Sequence, residues 1–250
     1  MSSHPSVEIC VESARGVEAA RKGGADRVEL CAALELGGLT PSHGEIARAS
    51  AVPDVRLVVL LRPRAGDFCY DEQDEATMLV DLEVAREYGA HAVAVGALRP
   101  DGSLDVGMLE CLARQADGLE LVCHRAFDLC RDPFAALEDL CDLGFAGVLT
   151  SGQAPTAHEG VTRIAQLVAS ARGRLQVRAA GRVRLATVAA VLAETGCGAV
   201  HASAGTLRAS AWSPAANAPR LGSASDESRW RETDPLLVFE LVEAARAGCE

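Results

Sequence analysis

The stretch Val7–Cys31, VEICVESARGVEAARKGGADRVELC, contains two short strand-like runs on either side of an amphipathic helical run. The tetrapeptides at its two ends, VEIC and VELC, are almost identical, and each places a glutamate two residues before a cysteine. A pair of glycines follows the helical run, where a helix would end. A strand, a crossover helix and a second strand are typical of a parallel β/α unit.

The same alternation of strand and helix continues along the chain. Short runs rich in Val, Leu and Ile predict strands at 7–11, 27–31, 56–62, 92–97, 119–125, 147–151, 175–179 and 199–203. Amphipathic runs predict helices at 13–23, 43–50, 74–88, 105–117, 133–143, 161–172, 185–195 and 235–247. Eight such units in a chain of 250 residues predict a single domain, 1–250, with the α/β fold of a TIM (β/α)8 barrel. An open doubly wound sheet is the alternative, but its usual Gly-rich turn is missing after the first strand.

One segment, 205–233, departs from this rhythm. It is rich in Ser, Ala, Pro and Arg, contains both tryptophans and shows no clear period. We therefore predict an irregular insertion after strand 8, on the face where barrels keep their functional loops. A lid, an oligomer contact, a partly disordered segment and a tolerated surface insertion are alternative interpretations.

Composition excludes several classes of function. A net charge of −11 and an isoelectric point near 5.1 argue against nucleic-acid and anionic-membrane partners. No early stretch resembles a signal peptide and no apolar run approaches the length of a membrane span, so a cytoplasmic location is expected. Nine cysteines without a C-x-x-C favour reduced, mostly buried thiols. The single lysine, Lys22, is poorly placed for Schiff-base chemistry.

Strand parity predicts a polar barrel interior. Val7 and Ile9 share the face that packs against helices, so Glu8 and Cys10 should point inward. The same rule predicts inward side chains at Glu29, Cys31, Arg178, His201 and Ser203. At the end of strand 5, parity does not decide between His124 and Arg125. Buried charges must be paired, so a structural salt-bridge network and a small-molecule site both remain open.

The strand-to-helix loops add further candidates, because TIM barrels keep catalytic groups at the C-terminal ends of their strands. One hypothesis is an enzyme of the lyase or isomerase type that acts on a small anionic metabolite. Its acid–base groups would be Glu8, Glu29, His124, Asp128 and His201. Its substrate-binding groups would be Arg62, Arg64, Asp67, Arg125, Thr150, Ser151 and Ser203.

The chain resembles the CutC family of copper homeostasis proteins from about residue 7 to residue 204. The matching stretches are VEICVES (7–13), GGADRVELCAALELGGLTPS (23–42), RPRAGDFCY (62–70), HRAFD (124–128) and LTSGQAP (149–155). The resemblance implies a TIM barrel, a cytoplasmic location, a homo-oligomer (dimer or tetramer) and a role with Cu(I). The chain departs from the family where Ala179-Ala180-Gly181-Arg182 replaces a Pro-Gly-Gly-Gly run, which weakens the prediction of an anion site there.

Copper(I) prefers soft thiolate and thioether ligands, and the three methionines are not clustered. Cys10 and Cys31 therefore become the metal candidates, because they point inward on neighbouring strands about 4.8 Å apart. Ordinary buried thiols are the alternative interpretation of this pair. No organic cofactor is indicated. Copper binding, an anionic-metabolite enzyme and an interaction scaffold are the three functions that the sequence leaves open.

Overall fold

The computed structural model describes residues 4–213, 215, 219 and 227–247, and its main sheet is a closed barrel of eight parallel strands. The barrel closes where β1 pairs with β8, with Glu8 beside His201. The predicted TIM barrel is confirmed, and the open-sheet alternative is excluded. The strands are β1 (Ser6–Val11), β2 (Arg27–Leu30), β3 (Arg56–Leu60), β4 (Ala92–Val95), β5 (Glu120–Cys123), β6 (Gly147–Thr150), β7 (Gln176–Ala179) and β8 (Ala199–Ala202).

Several helices of the described chain begin at residues whose side chains cap them. The Ser13 hydroxyl accepts a hydrogen bond from the Gly16 backbone N–H, and Asp132 caps a helix that begins with Pro133. None of these helices is long and apolar enough to span a membrane. They are α1 (Ala14–Lys22), α2 (His43–Ser50), α3 (Glu72–Glu87), α4 (Val106–Gln115), α5 (Pro133–Asp142), α6 (Val161–Ala171), α7 (Val188–Thr195) and α8 (Pro235–Ala247).

Apolar side chains form two kinds of layer, which follow from the alternation along each strand. The large core between strands and helices includes Val7, Ile9 and Leu30. A separate cluster lies inside the barrel and contains Cys10, Cys31, Val58, Leu60, Ala92 and Ala94. The predicted inward orientation of both cysteines is thus confirmed. Two short 3-10 helices, Leu34–Leu36 and Arg125–Leu129, follow β2 and β5 at the mouth of the barrel.

The segment after β8 contains a two-stranded antiparallel sheet of β9 (Gly205–Ala209) and β10 (Arg229–Thr233). The prediction of an irregular insertion over 205–233 is therefore wrong for these two strands. Both strands are largely exposed, so they lack the alternation of apolar and polar residues that marks a half-buried strand. Residues 214, 216–218 and 220–226 of the predicted insertion lie outside the described residues.

Candidate functional site

A network of charges lies inside the barrel, centred on Glu8. One carboxylate oxygen of Glu8 accepts a hydrogen bond from Arg27 Nε at 2.9 Å, and the other lies 2.9 Å from His201 Nδ1. Arg27 continues the network to Glu120 at 3.0 Å, and Glu120 also pairs with Arg56 at 2.7 Å. Because Glu120 and Arg56 begin β5 and β3, this network lies at the N-terminal ends of the strands. A salt-bridge network of this kind is one of the two interpretations that the sequence left open.

The neighbouring cations set the charge state of Glu8. Burial opposes ionisation of this carboxyl, but the hydrogen bond from His201 and the nearby Arg178 and Arg27 hold its pKa well below the usual range. Burial also opposes protonation of His201, yet the Glu29 and Glu8 carboxyls raise the pKa of its imidazole. Arg178 is buried as predicted, and its Nε and Nη1 have no hydrogen-bond partner among the described residues.

A cluster of two thiols and a carboxyl lies one layer nearer the C-terminal ends of the strands. Cys10 Sγ is 3.5 Å from Cys31 Sγ and donates a hydrogen bond to Glu29 Oε1 at 3.8 Å. The β1–β2 register places Cys10 opposite Glu29. Cys10, Glu29 and His201 each offer one ligand atom, and these atoms lie within 4.8 Å of one another.

Burial opposes ionisation of Cys10 and of Glu29 in this cluster. The hydrogen bond with Cys31 and the loss of solvent raise the pKa of the Cys10 thiol well above its usual value. Burial also raises the pKa of Glu29, whose Oε2 has no hydrogen-bond partner in the described chain. A thiol pair and an unsatisfied carboxyl oxygen are therefore available to a ligand or to a proton transfer.

A cavity of about 270 Å³ opens above this cluster at the C-terminal ends of the strands. Its polar lining comes from β1, β2 and β8 and from the loops that follow β3, β5, β7 and β8. The chemically active residues that line it are Cys10, Glu29, Arg62, His124, Arg125, Arg182, His201 and Ser203. A larger depression of about 890 Å³ lies beside it, between β10 and the loop after β1, and shares Cys10 and Ser203 with it.

His124 caps the 3-10 helix after β5 and is buried. Its Nδ1 accepts a hydrogen bond from the Ala126 backbone N–H at 3.1 Å, so the proton of the neutral ring resides on Nε2. Burial and the neighbouring Arg62 lower the pKa of the imidazole to about 3. The ring packs 5.0 Å from the Phe68 ring, and a Cβ added at Gly96 would lie 2.7 Å from its Nδ1.

Arg62 is buried at the end of β3 without a carboxylate partner among the described residues. Its Nη1 donates to the Leu36 and Gly38 carbonyls at 2.9 Å, and its Nη2 donates to the Gly66 carbonyl at 2.8 Å. The guanidinium also lies over the Phe68 ring at 4.9 Å. Arg62 thus anchors two loops and brings an unneutralised positive charge to the cavity.

Asp128, Thr150 and Ser151 were predicted site residues, but they do not line the cavity. Asp128 accepts hydrogen bonds from Thr150 Oγ1 at 2.6 Å, from Ser151 Oγ at 3.0 Å and from Arg125 Nε at 2.7 Å, so these residues join the loops after β5 and β6. Only Arg125 of this group lines the cavity. The sequence did not decide between His124 and Arg125; His124 is buried, while the Arg125 side chain is 46% exposed, and both reach the cavity.

Arg64 and Asp67 form a separate surface cluster. Arg64 pairs with Asp67 at 3.1 Å and with Asp74 at 2.9 Å. Arg64 and Asp67 were both predicted to bind substrate, but neither lines the cavity. Sequence reasoning missed Arg182, which lines the cavity from a left-handed backbone position with φ of 54°. Its only sequence signal was the neighbouring Gly181, within the departure from the family pattern.

Comparison with known proteins gives one consistent family. A model described as the CutC family matches residues 6–206. A relative from Glaesserella parasuis serovar 5, named "family protein CutC", is 43% identical over 222 residues, which cover 89% of this chain and 91% of the relative. A protein of the same name from Pasteurella multocida is 37% identical over 244 residues, which cover 98% of each chain.

Solved structures agree on the fold. A CutC structure from Streptococcus agalactiae, assigned by name to copper homeostasis, is similar with a TM-score of 0.77 and 30% identity, over 80% of this chain and 98% of that one. Thiamine phosphate pyrophosphorylase from Pyrococcus furiosus is similar with a TM-score of 0.59 and 14% identity, over 96% of this chain and 95% of that one. Likeness at the lower identity shows the barrel fold alone.

Proposed function

The chain belongs to the CutC family, and from this premise we propose that it binds Cu(I) through Cys10 and Cys31 in copper homeostasis. One observation carries the proposal. The two sulfur atoms lie 3.5 Å apart on adjacent strands, and Cys10 lines the cavity at the mouth of the barrel. Because Cu(I) favours soft ligands, a thiol pair suits it better than any carboxylate of the site.

The surroundings of the thiol pair fit this role. His201 offers an imidazole nitrogen within 4.8 Å of Cys10 Sγ, and imidazole is a second ligand type that copper accepts. The thiols must lose their protons when the ion binds. Glu29 Oε1 accepts a hydrogen bond from Cys10 Sγ, so this carboxyl is the group placed to receive the Cys10 proton.

Anaerobic Cu(I) titration against a competing chelator tests the proposal. Mutating a residue that only hydrogen-bonds to a metal ligand typically lowers metal affinity roughly 10–100-fold, and replacing a ligand itself should lower it further. We therefore expect Cys10→Ser and Cys31→Ser each to weaken Cu(I) binding more than about 100-fold. Cys141→Ser is the matched control, because Cys141 is a free thiol on α5 outside the cavity. Wild-type affinity in either of the first two variants contradicts the proposal.

A second candidate function is acid–base catalysis on a small anionic metabolite. The observation that favours it is the buried, unpartnered Oε2 of Glu29 in the same cavity as His201, which Glu8 holds in place. In this hypothesis Glu29 and His201 exchange protons with the substrate, and Glu8 is a positioning residue. Arg62, Arg125, His124 and Ser203 are the remaining cavity residues available to bind it.

The other predicted residues take a supporting role in this hypothesis. Asp128, Thr150 and Ser151 would hold the loops in place through their mutual hydrogen bonds. Arg64 and Asp67 would stabilise the neighbouring loop. A metabolite thermal-shift screen on the wild type and on Glu29→Gln tests the candidate. A metabolite that stabilises the wild type and shows turnover only with Glu29 supports it, and equal turnover in both proteins refutes it.

Location and assembly complete the proposal. On the family resemblance we propose a cytoplasmic homo-oligomer, a dimer or a tetramer. The exposed apolar side chains of Leu207, Trp212 and Trp230 around β9 and β10 support a contact between subunits there. Light scattering of the purified protein tests the assembly, and a monomer at micromolar concentration contradicts it.

A further inference from the structure

The guanidinium of Arg62 is a buried cation, and its hydrogen bonds to the described residues all go to neutral groups. Its three hydrogen bonds go to backbone carbonyls, and no carboxylate of the described chain pairs with it. Of its two remaining N–H donors, Nε–H has no partner among the described residues. Burying a charge without an opposite charge is costly, and a retained charge of this kind needs compensation. Because Arg62 lines the cavity, a ligand that enters the cavity can supply that compensation.

His124 also lines this cavity and carries a second unsatisfied group. Its Nδ1 is committed as acceptor to the Ala126 backbone N–H, which leaves Nε2–H as a donor. Nε2 is buried, and none of the described residues accepts its hydrogen. The packing of Phe68 and Gly96 around the ring fixes its orientation. A buried N–H without an acceptor costs free energy unless a ligand or a water molecule satisfies it.

We propose that the cavity contains a binding subsite for a small carboxylate monoanion, held between the Arg62 guanidinium and the Nε2–H of His124. The Arg62 charge would neutralise the carboxylate, and the fixed N–H of His124 would donate to one of its oxygens. The subsite is independent of copper binding by the thiols. It deepens the second candidate function by naming the substrate class.

The balance of charge favours a monoanion over a phosphate group. Arg62 supplies one uncompensated positive charge, whereas the neutral His124 supplies a donor without charge. The Glu29 carboxyl lines the inner side of the cavity, and when ionised it disfavours a second negative charge there. The structure therefore matches a carboxylate with one charge and two acceptor oxygens better than a dianionic phosphate.

The rim of the cavity guides such a ligand inward. Arg182 is exposed at the rim, and no ion pair of the described residues involves it. Arg125 lies on the same rim but is neutralised by Asp128 at 2.7 Å. Gly181 precedes Arg182 with φ of 97°, and a Cβ there would lie 3.2 Å from Arg125 Cζ. A free positive charge at the mouth raises the local concentration of anions.

Calorimetric titration with propionate as the probe tests the subsite. Propionamide is the neutral isostere, and inorganic phosphate is the dianionic comparison. We expect the wild type to bind propionate in the millimolar range and both comparison compounds at least about tenfold more weakly, as the loss of a charge-assisted contact predicts. Phosphate binding tighter than propionate, or no propionate binding at 50 mM, overturns the proposal.

Two variants of His124 distinguish loss of the Nε2–H donor from loss of the folded structure. His124→Asn retains an acceptor near Nδ1 but loses the Nε2–H, whereas His124→Gln places an amide N–H near the Nε2 position. We expect His124→Asn to weaken propionate binding about tenfold and His124→Gln to restore most of it. Equal affinity in His124→Asn and the wild type refutes the role of the ring. A histidine-selective NMR spectrum should show Nε2–H shifting as propionate is added.

Propionate titration of two arginine variants tests the role of the Arg62 charge. Arg62→Met should abolish propionate binding, and Arg64→Met, which removes a charge two residues away and outside the cavity, should not change it. Unchanged binding in Arg62→Met contradicts the proposal, and the His124 pair decides it if Arg62→Met does not fold. Cys31→Ser should lose Cu(I) and retain propionate, so this test and the copper test can fail separately. The titration measures no turnover, which likewise separates it from the catalytic hypothesis.

Discussion

Replacing Glu8 with Gln would remove one charge from the interior of the barrel while leaving its shape almost unchanged. The amide oxygen can still accept a hydrogen bond from Arg27, and the amide N–H can still reach His201. What is lost is the negative charge that three cationic groups share. Arg27 keeps Glu120 as a partner at 3.0 Å, but Arg178 loses the carboxylate that stabilises its charge most. The Nε and Nη1 of Arg178 already lack hydrogen-bond partners among the described residues.

The expected cost follows from the burial of these groups. Glu8 is 1% exposed and Arg178 is 4% exposed, so water cannot replace the missing charge. Breaking a buried ion pair typically costs about 3–5 kcal/mol, because the remaining charge stays uncompensated. Since Arg27 keeps one partner, we expect a loss of about 3 kcal/mol, a large part of the roughly 5–15 kcal/mol that stabilises a typical domain.

Equilibrium unfolding in urea at pH 7, followed by far-UV circular dichroism, measures this loss. Glu232→Gln is the matched control, because Glu232 pairs with Arg15 and Arg208, whose side chains are 79% and 49% exposed. Exposed pairs contribute at most about 1 kcal/mol, so the control should lie close to the wild type. A loss below about 1 kcal/mol in Glu8→Gln would show that the interior charges are screened, and the reasoning from burial would be wrong.

Three further predictions concern packing and pH. In the wild type the pKa of His124 is about 3 in the folded state and has its ordinary value in the unfolded state. Between these two values the unfolded chain binds more protons, so the free energy of unfolding falls as pH falls. From pH 7 to pH 5 we expect urea titrations to show a loss of about 2 kcal/mol in the wild type relative to His124→Asn. Gly160→Ala should destabilise the chain strongly, because its Cβ would overlap the Ser151 carbonyl oxygen, whereas Gly107→Ala meets nothing closer than 3.5 Å and should be tolerated. Leu137→Ala should cost about 2–5 kcal/mol and lower the melting temperature, because Leu137 is fully buried.

Each of these three has a contrary outcome. Parallel pH profiles of the wild type and His124→Asn would mean that the imidazole titrates normally in the folded state. Equal melting temperatures for Gly160→Ala and Gly107→Ala would show that the loop after β6 shifts to accept a side chain. A loss below 1 kcal/mol for Leu137→Ala would indicate that the core between β-strands and helices collapses around the gap.

Periodicity alone was enough to predict the barrel and the inward direction of its polar side chains. Glu8, Cys10 and Glu29 point inward because side chains alternate along every strand and the outer face must meet the helices. The contact of the two thiols follows from adjacent strands with similar register. These features follow from the alternation of side chains, which can be deduced from the sequence of each strand alone.

Other features depend on how distant segments meet, and the sequence could not supply them. Parity could not orient His124, because the chain turns into a 3-10 helix directly after it. Arg62 and Arg64 are the same residue type, two positions apart in the segment after β3. Only Arg62 lines the cavity, because Arg64 is held by Asp74 from α3. The sheet of β9 and β10 escaped prediction because neither of its faces is consistently buried.

The contact between Glu8 and His201 also has a consequence for the order of folding. These residues are 193 positions apart, and their hydrogen bond forms only when the last strand docks against the first. Cys10 and Glu29 are 19 positions apart within one βαβ unit, so they meet over a short loop. Contacts that close long loops carry the greater entropic cost and tend to form late. We therefore expect the thiol–carboxyl half of the site to assemble early and the imidazole to join it as the ring of strands closes.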